Sequence, residues 1–334
     1  MNVTKRLLVL LVICIVATQT VFSITFKIGS PAPVGTPWDN VLNALAAEWR
    51  EISDGRVNLK IYAGSIAGSE EDMLRKVRIG QLQGCVLTGV GLNAISQDVL
   101  ILSMPLLIST YDEYRYVMEK MRPDFDERFE ESGFTSVAWA MGGWIHFFAK
   151  QPVVTPDDLK QQKLSVSPSE ENMQQAFKEL GFHVVPLHMN EIMTALQTGM
   201  VEAYYAPPLL SAAYQWFALT NHMCDMRVSP LVGSLVFGKR FWDRVPDDLE
   251  EELIATANRL MEPLYDEIME LDSKAMKVMR EHGLVTHQVD DAARKEWRSM
   301  FEQGYRGLMG KSFSKEIYEQ LQGHLNDYRE SHGN

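Results

Sequence analysis

The chain has 334 residues, 46% of them hydrophobic, and a formal net charge of −12 at pH 7. An acidic balance of this size argues against a nucleic-acid or anionic-membrane surface, and the length suffices for two domains of ordinary size. The 3 cysteines are too few for a disulfide framework.

The N-terminus reads as an export signal. MNVTKR carries Lys5 and Arg6, LLVLLVICIVA is an apolar run, and Val21 and Ser23 suit the −3 and −1 positions of a cleavage after Ser23. Residues 7–17 are too short a run to span a bilayer comfortably. Cys14 lies inside that run behind the bulky Ile13, which argues against lipid attachment. Residues 1–23 are therefore expected to be a cleaved signal peptide and the remainder an exported protein. Cys85 and Cys224 then remain and allow one disulfide.

From Ile24 the chain alternates strand and helix. TFKIGS is a short strand, PWDNVLNALAAEWREIS has helical apolar spacing, Asp54-Gly55 turns the chain, and VNLKIYA alternates as a strand does. Ser69 with Asp72 forms a capping box for EEDMLRKVRI, Gly80 ends that helix, and QGCVLTGV is a third strand. The pattern recurs from Thr155, which with Asp158 caps a short helix before the strand KLSVS. Ser167-Pro168-Ser169-Glu170 reads as a second capping box, leading into ENMQQAFKEL, which Gly181 ends. FHVVPL is the next strand, Asn190 caps EIMTALQT, Gly199 ends it, and MVEAYYA is the last strand of the set. Two βαβαβ units imply mostly parallel sheets covered by helices, with ligands at the carboxyl ends of the strands. RVSPLVGSLVFGKRFW is strand-like again, and residues 247–282 follow as a helical pattern of about ten turns that Pro263 should kink. Such a helix is too long for one domain and is expected to tie two together. WRSMFEQGYRGLM is further helix packing back onto the body.

Material for catalysis is scarce. HExxH, CxxC and G-x-S-x-G are absent, and the 8 histidines lack metal-ligand spacing. GYRGLMGKS resembles a phosphate loop only at a glance, because Tyr305 stands where its first glycine belongs. His146, His183 and His188 flank strands and suit core or rim roles. Cys85 suits a small core position, and Glu70 and Glu71 suit the first turn of a helix.

Two blocks carry a more specific signal. GRVNLKIYAGSIAGSEEDMLRKVRIGQLQG resembles the first lobe of the TRAP-transporter (DctP-type) periplasmic solute-binding proteins. PVVTPDDLKQQKLSVSP followed by LGFHVVPLHMNEIMTALQTGMVEA resembles that family's most recognisable block, with its "TPDDLK" and "ALQTG.V(D/E)" elements in order. The resemblance covers essentially all of the chain after residue 23. It implies an α/β, two-lobed periplasmic binding protein of the Venus-flytrap kind, with mostly parallel sheets and a long lobe-spanning helix at 247–282. Lobe I would comprise residues 24–142 plus about 230–265, and lobe II residues 143–229 plus about 266–334. It also implies a receptor with no catalytic residues, cofactor or metal, which hands a small molecule to integral membrane TRAP subunits. Some such systems add a helical-repeat (TPR-type) periplasmic subunit.

Most members hold a carboxylate through an arginine at the position of Ser165, often with a second at that of Ile145. A ligand-contacting asparagine falls on Ala206, polar residues on Tyr204 and Tyr205, and a further pocket position on Met189. An arginine–carboxylate fork is the strong way to hold an anion in a closed cleft, and losing one partner of such a buried pair costs roughly 3–5 kcal/mol. These replacements imply a solute with a substantial hydrophobic part, over which Trp38 is placed to close. Neighbouring strand side chains point to opposite faces, so one of the two tyrosines should reach the cleft. Trp144 and Trp216 are assigned to packing. A carboxylate receptor using Lys150, His146 or Lys163 instead, and a sensor or interaction module that no longer transports, are the competing readings. An enzyme is the weakest.

Overall fold

The computed structural model describes residues 23–332. The expected signal segment, with Cys14, therefore lies outside the described residues except for Ser23. Strands β1 (Ile24–Gly29), β2 (Val57–Tyr62) and β3 (Gly84–Thr88) alternate with helices Pro37–Ile52 and Glu70–Arg78. A second set, β5 (Lys163–Val166), β6 (His183–Pro186) and β7 (Ala203–Ala206), alternates with Glu171–Glu179 and Ile192–Thr198. These are the two βαβαβ units that the sequence predicts. Within each unit the strands run parallel, β2-β1-β3 in one and β7-β5-β6 in the other.

Two long strands join the units. β4 (Phe134–Ala149) pairs antiparallel with β9 (Ser229–Gly238) from Phe134 to Ile145, then with β7 from His146 to Ala149. β9 in turn pairs antiparallel with β3. One strand thus begins in the first sheet and ends in the second. It changes partner between Ile145 and His146, just beyond a register shift between Met141 and Trp144. Gly143 sits there at φ +109°, and a Cβ on it would lie 3.3 Å from Ile268 and Pro207 and 3.5 Å from the Asp272 carboxylate. Both the backbone angle and the close approach call for glycine. The short strands β8 (His222–Cys224) and β10 (Val285–His287) extend the second sheet.

The helical pattern at 247–282 is two helices, Asp247–Met261 and Leu264–Glu281, parted at Glu262-Pro263. Proline lacks the amide that would continue the ladder. The first of these helices closes a core of Phe26, Trp49, Phe237, Trp242 and Leu253, where the Trp49 indole donates to the Leu253 carbonyl at 3.0 Å. The second contributes Met279 to a core with Phe148, Tyr204 and Trp216. Each such side chain, fully buried, stabilises the fold by roughly 1.5–3 kcal/mol. The helix Asp291–Leu308 packs Trp297, Phe301 and Tyr305 back onto the body, as expected, and Tyr111–Glu131 adds Tyr114, Phe125 and Phe129 to the same buried cluster.

Two local expectations are corrected. Ser167–Glu170 forms no capping box: the helix starts at Glu171, and the Ser167 hydroxyl accepts from the Ser169 amide at 3.3 Å. Gln174 holds the Ser167 and Pro168 carbonyls at 2.9 and 3.1 Å, fixing a turn where a first helical turn was expected. Asn190 is not a cap either, since it lies within a short 3-10 turn whose His188 amide donates to Glu191 at 2.8 Å. The disulfide that two cysteines would allow does not form, both being free and buried.

Candidate functional site

The carboxyl ends of β1, β3, β5 and β7 meet around a cavity of about 210 Å³. Its walls include Pro31, Thr88, Gly89, Ser165, Ser167 and Tyr204 to Pro207, the residues at or just beyond those four strand ends. Ligands of open α/β sheets gather at such ends because the strands stop there and loops diverge. The Tyr214 hydroxyl donates to the Pro31 carbonyl at 3.2 Å, joining loops of the two units beside the cavity.

Six of the seven predicted residues, Ile145, Ser165, Met189, Tyr204, Tyr205 and Ala206, line this cavity. Trp38 lines an adjoining chamber of about 100 Å³ with Leu42, Val86, Ala140, Gly142, Leu235 and Leu264. The two spaces share Pro31, Thr88, Met189, Leu210 and Leu231. The Trp38 indole N–H is buried there without a hydrogen-bond partner.

The two tyrosines divide as strand geometry requires. Tyr204 is 1% exposed, stacks on Phe148 at 5.2 Å and bonds the Ser211 hydroxyl at 2.6 Å, so its main attachment is to the core. Tyr205 faces the cavity, with its hydroxyl against the Glu170 carboxyl. Trp144 packs in the core, whereas Trp216, also buried, reaches the cavity wall.

The sequence reading missed the polar half of the site. Seven serines line the cavity, among them Ser65, Ser69, Ser167 and Ser169. Two carboxyl groups line it as well. Glu70 is indeed a first-turn residue, but its side chain turns toward the end of β3. It accepts from the Thr88 amide at 2.8 Å, the Thr88 hydroxyl at 2.7 Å and the Gly91 amide at 3.0 Å. Burial raises its pKa and these donors oppose the rise. Glu170, on the delayed turn before Glu171, is 8% exposed. Burial first and the Glu70 charge second push its carboxyl up to about 7.

Among the described residues no lysine or arginine lines the cavity. The three cations considered as substitute anchors point elsewhere. Lys150 donates to the Leu196 carbonyl at 2.9 Å, Lys163 to the Gly199 carbonyl at 3.2 Å, and His146 Nδ1 lies 3.1 Å from the Cys224 carbonyl.

The pattern of the bacterial extracellular solute-binding protein family 7 (DctP) matches residues 28–315. The chain belongs to this family. It is 26% identical over 266 residues to the 2,3-diketo-L-gulonate-binding periplasmic protein of Escherichia coli, covering 75% of this chain and 79% of that one. It is 21% identical to the C4-dicarboxylate-binding periplasmic protein of Rhodobacter capsulatus, over 76% and 78% of the two chains. Among solved structures, a TRAP periplasmic solute-binding protein of Desulfovibrio salexigens with bound orotic acid superposes with a TM-score of 0.84 at 20% identity, covering 92% of this chain and 99% of that one. One from Sulfurospirillum deleyianum with bound succinate gives 0.82 at 17% identity, covering 89% and 98%. The DctP chain described here therefore has the two-domain fold of TRAP receptors. Membership makes it a solute-binding component of transport, with a small-molecule ligand and TRAP membrane subunits as partners, in a family that works in the periplasm. Among the described residues no helix is long and apolar enough to cross a membrane.

Proposed function

We propose that this TRAP receptor takes up an organic solute with a substantial hydrophobic part, bound in the cavity between the two units. The carrying observation is the lining itself. Ile145 and Ser165 stand where the family resemblance expects arginines, and among the described residues no lysine or arginine faces the space. The apolar chamber beneath Trp38 supports the same reading, since it extends the cavity with few polar atoms. The relatives' bound orotate and succinate suit a site with a fixed cation, which this lining lacks.

In this reading the chain is exported, loses residues 1–23 and works in the periplasm. Residues 24–142 with about 230–265 form one lobe, and 143–229 with about 266–334 the other. They close about the β4 and β9 crossings and the break at Pro263. Ser165, Ile145, Met189, Tyr205 and Ala206 would contact the solute, Trp38 its apolar end, and Tyr204 would back the wall.

Thermal unfolding against two ligand panels tests this, after refolding from denaturant to strip carried-over ligand. A ligand at a hundred times its dissociation constant adds about 2.7 kcal/mol of stability, visible as a shift. Stabilisation by amphipathic compounds and not by succinate or glucuronate is the expected result. Stabilisation by the small acids alone would overturn the apolar reading.

A further inference from the structure

The cavity holds two inward carboxyl groups, Glu70 and Glu170, and among the described residues no lysine or arginine side chain balances them. They differ in what already occupies them. Glu70 is met by three donors from the Thr88–Gly91 segment. Glu170 precedes a helix yet makes no capping hydrogen bond. The charged and titratable groups acting on it are Glu70 and the Tyr205 hydroxyl. His188 and Tyr204 are the other titratable groups lining the cavity. A carboxylate offers about four acceptor sites, and one phenol fills one of them. The structure thus contains a carboxyl that is 8% exposed, turned into a cavity, with acceptor capacity to spare and a second acid across from it.

We propose that the polar end of the solute is a protonated amine, held by Glu170, with the Glu70 charge and the hydroxyls of Ser167 and Ser169 facing the same space. This rests on the amphipathic reading above, whose apolar part would occupy the remaining cavity. An ammonium presents three donors and no acceptor, which matches a lining rich in acceptors. Its charge also relieves the repulsion between two buried carboxylates. A solute carboxylate there would add a third negative charge with no cation beside it. An alcohol would fit the hydroxyls but leave both acids uncompensated.

The test uses protein made from the full-length sequence in an exporting host, refolded to strip ligand, and titrated calorimetrically at pH 8. Three probes of matched shape are compared: 2-phenylethylamine, 2-phenylethanol and 3-phenylpropionate. The amine should bind at least tenfold tighter than the alcohol, and the acid weakest of all. Glu170→Gln keeps the shape but removes the charge, and should weaken the amine about a hundredfold more than it weakens the alcohol. The ligand-free unfolding transition of the variant confirms that it folds. Equal binding of amine and alcohol, or an amine affinity that Glu170→Gln leaves alone, overturns the ammonium site while the apolar reading stands. Tightest binding by the acid overturns it as well. Failure of all three probes, with succinate stabilising the protein, overturns both readings together.

Discussion

Glu70 and Glu170 enter the cavity from opposite units, carry the same side chain and have pKa values raised by the same main cause, burial. Their surroundings separate them. Glu70 follows a formed capping box, in which Ser69 and Asp72 satisfy each other, and its carboxylate is spent on the β3 end and the loop after it. Gly91 is part of that arrangement, because a Cβ there would come within 2.4 Å of Glu70 Oε2. Glu170 sits where a capping box was expected and did not form, and among the described side chains only the Tyr205 phenol meets it. Burial therefore does not by itself mark a binding group. Unused hydrogen-bonding capacity does.

The contrast is tested most severely at Glu70. Glu70→Ala leaves the Thr88 and Gly91 amides without their acceptor, and hydrogen bonds to a charged group contribute about 1.5–3 kcal/mol each. Urea unfolding should show a loss of about 3 kcal/mol or more at unchanged slope. A loss below about 1 kcal/mol would place Glu70 with Glu170 as a group awaiting a ligand. Glu170→Gln should act in the opposite direction. Burial and the Glu70 charge move the Glu170 carboxyl from an ordinary 4.5 up to about 7. Between those values the folded protein keeps a proton that the unfolded chain has released, so stability falls as pH rises across that window. The variant should match the parent near pH 4.5 and exceed it by up to about 3 kcal/mol at pH 8. Some slope persists, because Asp272, buried and bonded to the Leu209 amide, is also pushed up to about 7. A variant no more stable at pH 8 would mean that the Glu170 charge is already compensated in the ligand-free fold.

Much of the architecture was legible because its signals are local. The Ser69–Asp72 box, the Thr155–Asp158 box and the Gly199 helix end, at φ 72°, all lie where the sequence puts them. The apolar wall of Ile145, Met189 and Ala206, with Ser165 and the two tyrosines beside it, followed from the strand ends and from the family resemblance. What stayed hidden depends on distant partners. Ser-Pro-Ser-Glu satisfies both a helix cap and a turn, and Gln174, reaching back to two carbonyls, decides for the turn. Glu70 suits any first helical turn, and only the end of β3, 18 positions away, draws it inward. The start of β4 at Phe134 rests on pairing with Gly238 in β9, far along the chain.

The smallest expected effects come from the adjacent tyrosines, and they differ in kind. The Tyr204 hydroxyl bonds Ser211 at 2.6 Å and accepts from Thr220 at 3.4 Å inside the core. Tyr204→Phe removes a partner from buried Ser211 and should cost about 1 kcal/mol at every pH. The Tyr205 hydroxyl instead meets Glu170 and holds down the rise of that carboxyl's pKa. Tyr205→Phe should therefore let it rise further, so that the fall in stability, still beginning near pH 4.5, runs to higher pH and is deeper at pH 8, with little change at pH 5. Denaturant unfolding from pH 5 to 8 distinguishes the two, since one variant lowers the profile uniformly and the other deepens its loss toward pH 8. A loss confined to high pH in Tyr204→Phe, or a uniform one in Tyr205→Phe, would exchange the roles of core anchor and cavity wall between neighbouring residues.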